Sequence, residues 1–367
     1  MRSLFDKTQY KNLHFKNRFV KAAVWEALAS DDGHLTSELL DIYHELAKGG
    51  ISTIITGYTY VDKDEHPNPN MMAIYDDSFI EEYQKMTDIV HQYDSNIILQ
   101  LVYGGSMSRL NPPSSHILSP SGVLDEVTNI KPFEMTKNDI KDLVEKFALA
   151  SLRARKAGFD GIEIHAAHGY LLSQFLSPKF NLRKDEYGGS LINRSRIIIE
   201  IIHAIRELLG NDYPIWIKLN SSDFCEGGLT SDESLEIAQI LAKEGLDAVE
   251  VSGGNNSTKS VATNNLGAIR TKVAISRENE SYFKDYAIML SEKVDIPVIL
   301  TGGNRHYDVM DKLLQTSKIS YFGLARPLIS EPDLINKWEM GDYKEPNCVS
   351  CNSCFGIKGK RCILNQS

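Results

Sequence analysis

The chain has 367 residues, 42% hydrophobic and 24% charged, an ordinary globular composition with room for one large domain or two smaller ones. A formal net charge of −9 argues against nucleic acid as a partner, because such binding draws on basic surface. No apolar run approaches the roughly 18 residues that cross a membrane, and Met1-Arg2-Ser3-Leu4-Phe5-Asp6 has no apolar signal-peptide core, so a cytoplasmic location is expected.

Short apolar, β-rich runs alternate with longer helical patterns. Strands are predicted at 18–24, 52–57, 96–102, 161–166, 214–220, 248–252, 297–301 and 320–325. Helices are predicted at 36–48, 78–93, 137–156, 193–209, 231–243, 281–293, 307–314 and 331–338. The first helix opens at Thr36 and stops before Gly49-Gly50, a cap at each end. In the third, Ile140, Leu143, Val144, Phe147 and Ala148 share one face, the spacing of a buried stripe. Eight β-then-α units predict an α/β fold, a (β/α)8 TIM barrel over 1–340 with a Cys-containing tail at 341–367. The alternative, a doubly wound sheet, would carry a Gly-rich phosphate loop after its first strand. Here that strand ends Ala22-Ala23-Val24-Trp25. Segment 104–132, with Pro112, Pro113, Pro120 and Pro132, reads as an insertion forming a lid or hairpin over the active-site face.

Barrel active sites lie at the C-terminal ends of strands. The fourth strand runs into His165-Ala166-Ala167-His168-Gly169-Tyr170. A regular strand would point two His three apart to opposite faces. A loop or helical turn starting near Ala166 would bring them together. Two imidazole donors could then meet one substrate oxygen, with a phenol beside them to supply a proton. Gln100 in the third strand and Lys218 in the fifth are polar residues in buried strands. Such groups need partners, and a polar heterocycle would serve both. Gly302-Gly303 follows the seventh strand and Ala325-Arg326-Pro327 the eighth. Glycines and an Arg suit a phosphate held by backbone N–H groups and one guanidinium.

The run from His165 to Tyr170, continuing through Asn181, Arg183, Asp185, Tyr187-Gly188-Gly189 and Asn193-Arg194, resembles the signature of the Old Yellow Enzyme family. These are FMN-dependent NADH:flavin oxidoreductases and ene-reductases. The resemblance extends from Leu4-Phe5 through Asn17-Arg18 to Ala325-Arg326-Pro327. It implies FMN at the C-terminal face of the barrel, with NADH or NADPH as co-substrate. It implies reduction of activated, enone-type alkenes by hydride from flavin N5. By motif match, His165 and His168 would bind the substrate oxygen and Tyr170 would protonate the α-carbon. Gln100 would contact the flavin pyrimidine, and Lys218 would face N1 and O2, stabilising the reduced, anionic ring. Ala23, Val24 and Gly57 would approach the flavin through backbone, beside Trp25. Gly302, Gly303, Ala325 and Arg326 would form the phosphate end, with Gly303 the better of the two glycines. Arg183, Asp185, Tyr187, Asn193 and Arg194 are assigned to holding the loop and capping the helix that starts at Asn193.

Three departures stand out. Relatives often have Pro-Met or Pro-Leu where this chain has Ala23-Val24. They often have a flavin-tuning Cys or Thr where it has Trp25. Their Gln-Leu-x-His-x-Gly-Arg run becomes Gln100-Leu101-Val102-Tyr103-Gly104-Gly105-Ser106. Trp25 and Tyr103 could favour a cation, which keeps an amine oxidoreductase or demethylase as the alternative. A metal-dependent hydrolase would need carboxylates or His at several strand ends. A non-catalytic flavin carrier would need no proton donor.

Cys348-x2-Cys351-x2-Cys354-x7-Cys362 resembles the iron–sulfur segment of larger relatives such as the bacterial 2,4-dienoyl-CoA reductases. Its last spacing is shorter, and the second flavin and nicotinamide domain is not in this chain. A cluster-free tail is therefore expected, ahead of a [4Fe–4S] cluster and of zinc, and no metal ligands are assigned. The expected partner is a small-molecule substrate. Family members often form dimers or tetramers, so a homo-oligomer is compatible with the sequence, though nothing in it marks an interface.

Overall fold

The computed structural model describes residues 2–108, 116–126, 129–258, 268–269 and 277–365. Eight strands, Phe19–Lys21, Thr53–Ile55, Asn96–Val102, Gly161–Ala166, Ile215–Asn220, Ala248–Ser252, Val298–Thr301 and Tyr321–Leu324, pair in that order and all in parallel. Phe322 registers with Phe19, so the eighth strand returns to the first and closes the predicted TIM barrel. Two strands stop earlier than the sequence indicates. The Gly57 N–H leaves the ladder and donates to Tyr43 Oη at 2.9 Å, and a separate short strand, Thr59–Tyr60, then adds to the third. The first strand ends at Lys21, with the Ala22 N–H still donating to Leu324 O at 2.9 Å.

The outer helices are Ser37–Lys48, Ile80–His91, Lys137–Lys156, Leu191–Leu209, Ser231–Lys243, Lys284–Ser291, Tyr307–Thr316 and Leu334–Glu339. Thr136 with Asp139 and Thr230 with Glu233 form capping boxes, each satisfying two orphan backbone groups at a helix start. The fourth helix is capped by Ser190, not Asn193. Asn193 already lies in the first turn, where its N–H is the one the cap receives. Among the described residues no helix is long and apolar enough to cross a membrane.

The barrel interior is layered. An N-terminal hairpin, Thr8–Tyr10 with Leu13–Phe15, was not foreseen and plugs the bottom. Its Leu13 and Phe15 pack with Val20, Ile55, Ile98, Trp216, Ala248, Ile299 and Tyr321 in an apolar floor. Residues two apart on a strand share a face. One step above Ile98, Trp216 and Ala248 therefore come Gln100, Lys218 and Glu250, with Glu163 in register with Gln100. One step higher lie His165 and Ser252. The sequence thus lays an apolar layer, an ionic layer and a hydrogen-bonding rim along the same strands.

In the insertion, Leu118–Ser119 pairs with Phe133–Glu134 in parallel, so these two strands do not form the simple hairpin the sequence suggested. Buried Asp125 pins the insertion down by accepting from Ser106 Oγ and Asn256 Nδ2. Pro112 and Pro113 lie outside the described residues.

Candidate active site

His165 ends the fourth strand facing the interior. His168 has φ of +63° and Gly169 +83°, so two successive left-handed residues fold the chain back. His and Asn tolerate this region better than most side chains, and such strain is typical of functional loops. The turn sets the two imidazole rings 5.1 Å apart, edge to face, and the Tyr170 ring 4.8 Å from His165. The turn expected near Ala166 is thus present, and it places all three side chains together. His168 Nε2 lies 2.6 Å from Ser252 Oγ, and its N–H donates to Asn220 Oδ1 at 3.1 Å. The Tyr58 ring, which the sequence did not mark, lies tilted at 5.6 Å from Tyr170 and edge-on at 6.1 Å from His165.

The protonation of His165 follows from its surroundings. Burial, then repulsion from His168 and Lys218, holds its pKa well below the ordinary imidazole value. It is neutral near pH 7. Its Nδ1 accepts the Ala167 N–H at 3.3 Å, which leaves the ring hydrogen on Nε2. His165 therefore presents an uncharged N–H donor.

Beneath it, Gln100 Nε2 donates to Glu163 Oε2, and the Lys218 ammonium pairs with Glu250 and sits 4.0 Å from Glu163. Neither carboxylate was singled out in the sequence. Each stands alone in an apolar strand, and that is the available signal, since a buried charge survives only with a partner. Burial and the Glu250 charge push Glu163 well above the carboxylate range. Burial also acts on Glu250, but the Lys218 charge opposes it and Glu250 is held below the ordinary carboxylate value. One carboxylic acid and one carboxylate thus face one ammonium. Gln100 Oε1, Glu163 Oε1 and Glu250 Oε1 have no hydrogen-bond partner in the protein.

Ala23, Val24 and Trp25 follow the first strand, half-buried, opposite Gly57. A Cβ on Gly57 would lie 2.1 Å from Glu26 Oε2 and 2.7 Å from Val24 O. Trp25 Nε1 donates to Pro69 O at 3.2 Å, and the Lys360 ammonium lies 4.4 Å from the Trp25 ring centre. Gly302 and Gly303, at φ +118° and +77°, follow the seventh strand. Asn304 ties this loop to the eighth strand by donating to Leu300 O and Gly323 O. Ala325 precedes the short helix Arg326–Ser330, and Arg326 donates to Asn352 Oδ1 at 2.7 Å. Arg183 forms a two-pronged pair with Asp185 and also donates to Pro120 O and Met135 O, anchoring the insertion.

Cys348, Cys351, Cys354 and Cys362 line one small cavity with Arg326 and Asn352. No three His, Cys, Asp or Glu among the described residues are grouped to hold a metal ion.

Buried Glu65 accepts the Gly104 N–H at 2.8 Å and steadies the loop after the third strand. Burial raises its pKa to about 8. A carboxyl whose folded pKa is raised stabilises the fold most below its unfolded pKa and loses that contribution as pH climbs through the folded value. Wild-type stability should therefore fall, relative to Glu65→Gln, by up to about 1.4 kcal/mol per pH unit from the ordinary carboxyl range to about 8. Parallel denaturation curves across that range would check this; identical pH slopes in both proteins would sink it.

Residues 3–345 match the family model described as the NADH:flavin oxidoreductase / NADH oxidase family. An NADH oxidase of Thermoanaerobacter brockii is 32% identical over 96% of this chain, which spans only 54% of that protein. An NADPH dehydrogenase of Clostridium acetobutylicum is 30% identical over 90% of this chain and 92% of its own length. An old yellow enzyme homologue from Zymomonas mobilis superposes with a TM-score of 0.81 at 20% identity, over 98% of this chain and 97% of that one. At that identity the structural likeness speaks for the barrel, and the sequence match carries the kinship. The chain belongs to the NADH:flavin oxidoreductase / NADH oxidase family.

Proposed function

We propose that this protein uses NADH or NADPH to reduce electron-poor alkenes of the enone type. Bound FMN would supply the hydride relay between the nicotinamide and the β-carbon of the alkene. The residues present suit that cofactor. The partnerless Gln100 Oε1 can accept from the flavin pyrimidine, and Lys218 supplies a cation to the same edge. The backbone of Ala23, Val24 and Gly57 offers close approach, and Gly302, Gly303, Ala325 and Arg326 suit the phosphate.

The observation that carries the reading is the buried His165 imidazole set beside His168 and Tyr170. An uncharged donor polarises a carbonyl and stabilises the negative charge that develops on its oxygen. Tyr170 then gives its phenolic proton to the α-carbon. The amine-oxidising alternative rested on Trp25 and Tyr103 receiving a cation. The Lys360 ammonium already stands over the Trp25 ring, which weighs against that face receiving a substrate cation.

Anaerobic titration of the purified yellow protein with NADH or NADPH should bleach it, and an enone should restore the colour. Tertiary amines should do neither. A protein that stays colourless and takes up no FMN would overturn the reading.

A further inference from the structure

Lys218 and Glu250 are partners in register on adjacent strands, both side chains 4% exposed or less. Glu163 and Gln100 are likewise in register, and together the four make a closed ionic layer over the apolar floor. Two carboxyls and one ammonium share this layer. It holds one proton between the carboxyls, because two like charges so close in a dry interior do not both persist. Glu163, further from the ammonium, is the neutral partner, and Glu250 is the anion. The layer is thus electrically balanced before any ligand arrives.

This bears on what Lys218 can do. Hydride brings two electrons and one proton, so its arrival leaves the acceptor ring one unit more negative. An unopposed ammonium would favour that strongly; an ammonium already matched by an anion favours it much less. We propose that Glu250 is a positioning residue that sets the strength of Lys218: it fixes the ammonium toward the cofactor and offsets its charge, keeping the flavin harder to reduce. Glu163 contributes a hydrogen-bonded link between Gln100 and this pair and no net charge. The proposal rests on Lys218 facing FMN.

The test uses the FMN-loaded protein and two equilibrium readouts, the two-electron potential and the dissociation constant for sulfite. Sulfite adds to the oxidised ring and leaves it negative, so its affinity reports local charge. Glu250→Gln should tighten sulfite about tenfold, and the same factor in the redox equilibrium is about 30 mV upward. Lys218→Met should move both the other way. Glu163→Gln, neutral for neutral, should change either by less than about twofold. The double variant Lys218→Met/Glu250→Gln has no buried charge left unpaired, so it keeps the test alive if Glu250→Gln fails to fold. It should return both values close to wild type.

If the double variant matches Lys218→Met alone, or Glu250→Gln folds and moves neither readout, Glu250 does not offset Lys218 and the proposal falls. If Lys218→Met itself moves neither readout, it is the placement of Lys218 against FMN that fails.

Discussion

Replacing Tyr170 with Phe is expected to slow alkene reduction by about 10²-fold or more, the usual contribution of a positioned acid, or about 2.7 kcal/mol in the barrier. Reduction by NAD(P)H should continue at its wild-type rate, because no proton from Tyr170 enters that step. The substitution removes one oxygen and keeps the ring that packs on His165 and Tyr58. Anaerobic stopped-flow measures the two half-reactions separately. The argument distinguishes proton donation from packing: a packing role would leave both rates almost unchanged with Phe and damage both with Ala. Equal rates for Tyr170→Phe and wild type in the alkene step would remove Tyr170 from the chemistry.

The second large effect is expected at Gly57→Ala. One added methyl group would meet Glu26 Oε2 and Val24 O at distances no Cβ tolerates. Neither neighbour can readily give way. Val24 O is backbone, and Glu26 is held by Lys21 at 3.3 Å and by Tyr43 Oη at 3.1 Å. Gly57 is not in the left-handed region, so the effect is steric alone. Overpacking of this kind costs about 1–3 kcal/mol, and it falls on the loop pair proposed to approach the flavin. Lower thermal stability and FMN retention weakened at least about tenfold are the expected results. Equilibrium dialysis against free FMN would check the second; wild-type retention would show that the loops have slack the packing does not suggest.

The barrel was legible because its signal repeats. Eight apolar runs each followed by an amphipathic helix leave few other architectures, and the cap at Thr36 marks the first helix start. The rim cluster was legible because His165, His168 and Tyr170 are close in sequence at a strand end. The ionic layer was not. Glu163 and Glu250 are 87 residues apart and meet only through strand register, which one sequence does not display. Nor was the plug at Thr8–Phe15, whose strands are three residues each, too short to show a period. Asn193 suits a cap by residue type, but Ser190 stands where the geometry requires it.

The tail does more than carry cysteines. The Gly359 N–H donates to Glu26 O at 2.8 Å, Lys360 covers Trp25, and Asn352 receives Arg326. The contacts to Glu26 and Trp25 thereby stitch segments more than 300 residues apart across the barrel seam. During synthesis the stretch around Trp25 emerges early and must wait for its cover until residue 360 has been made. The wall beside the pocket is thus completed by residues made far downstream, and a chain cut before residue 359 would leave that wall unbacked.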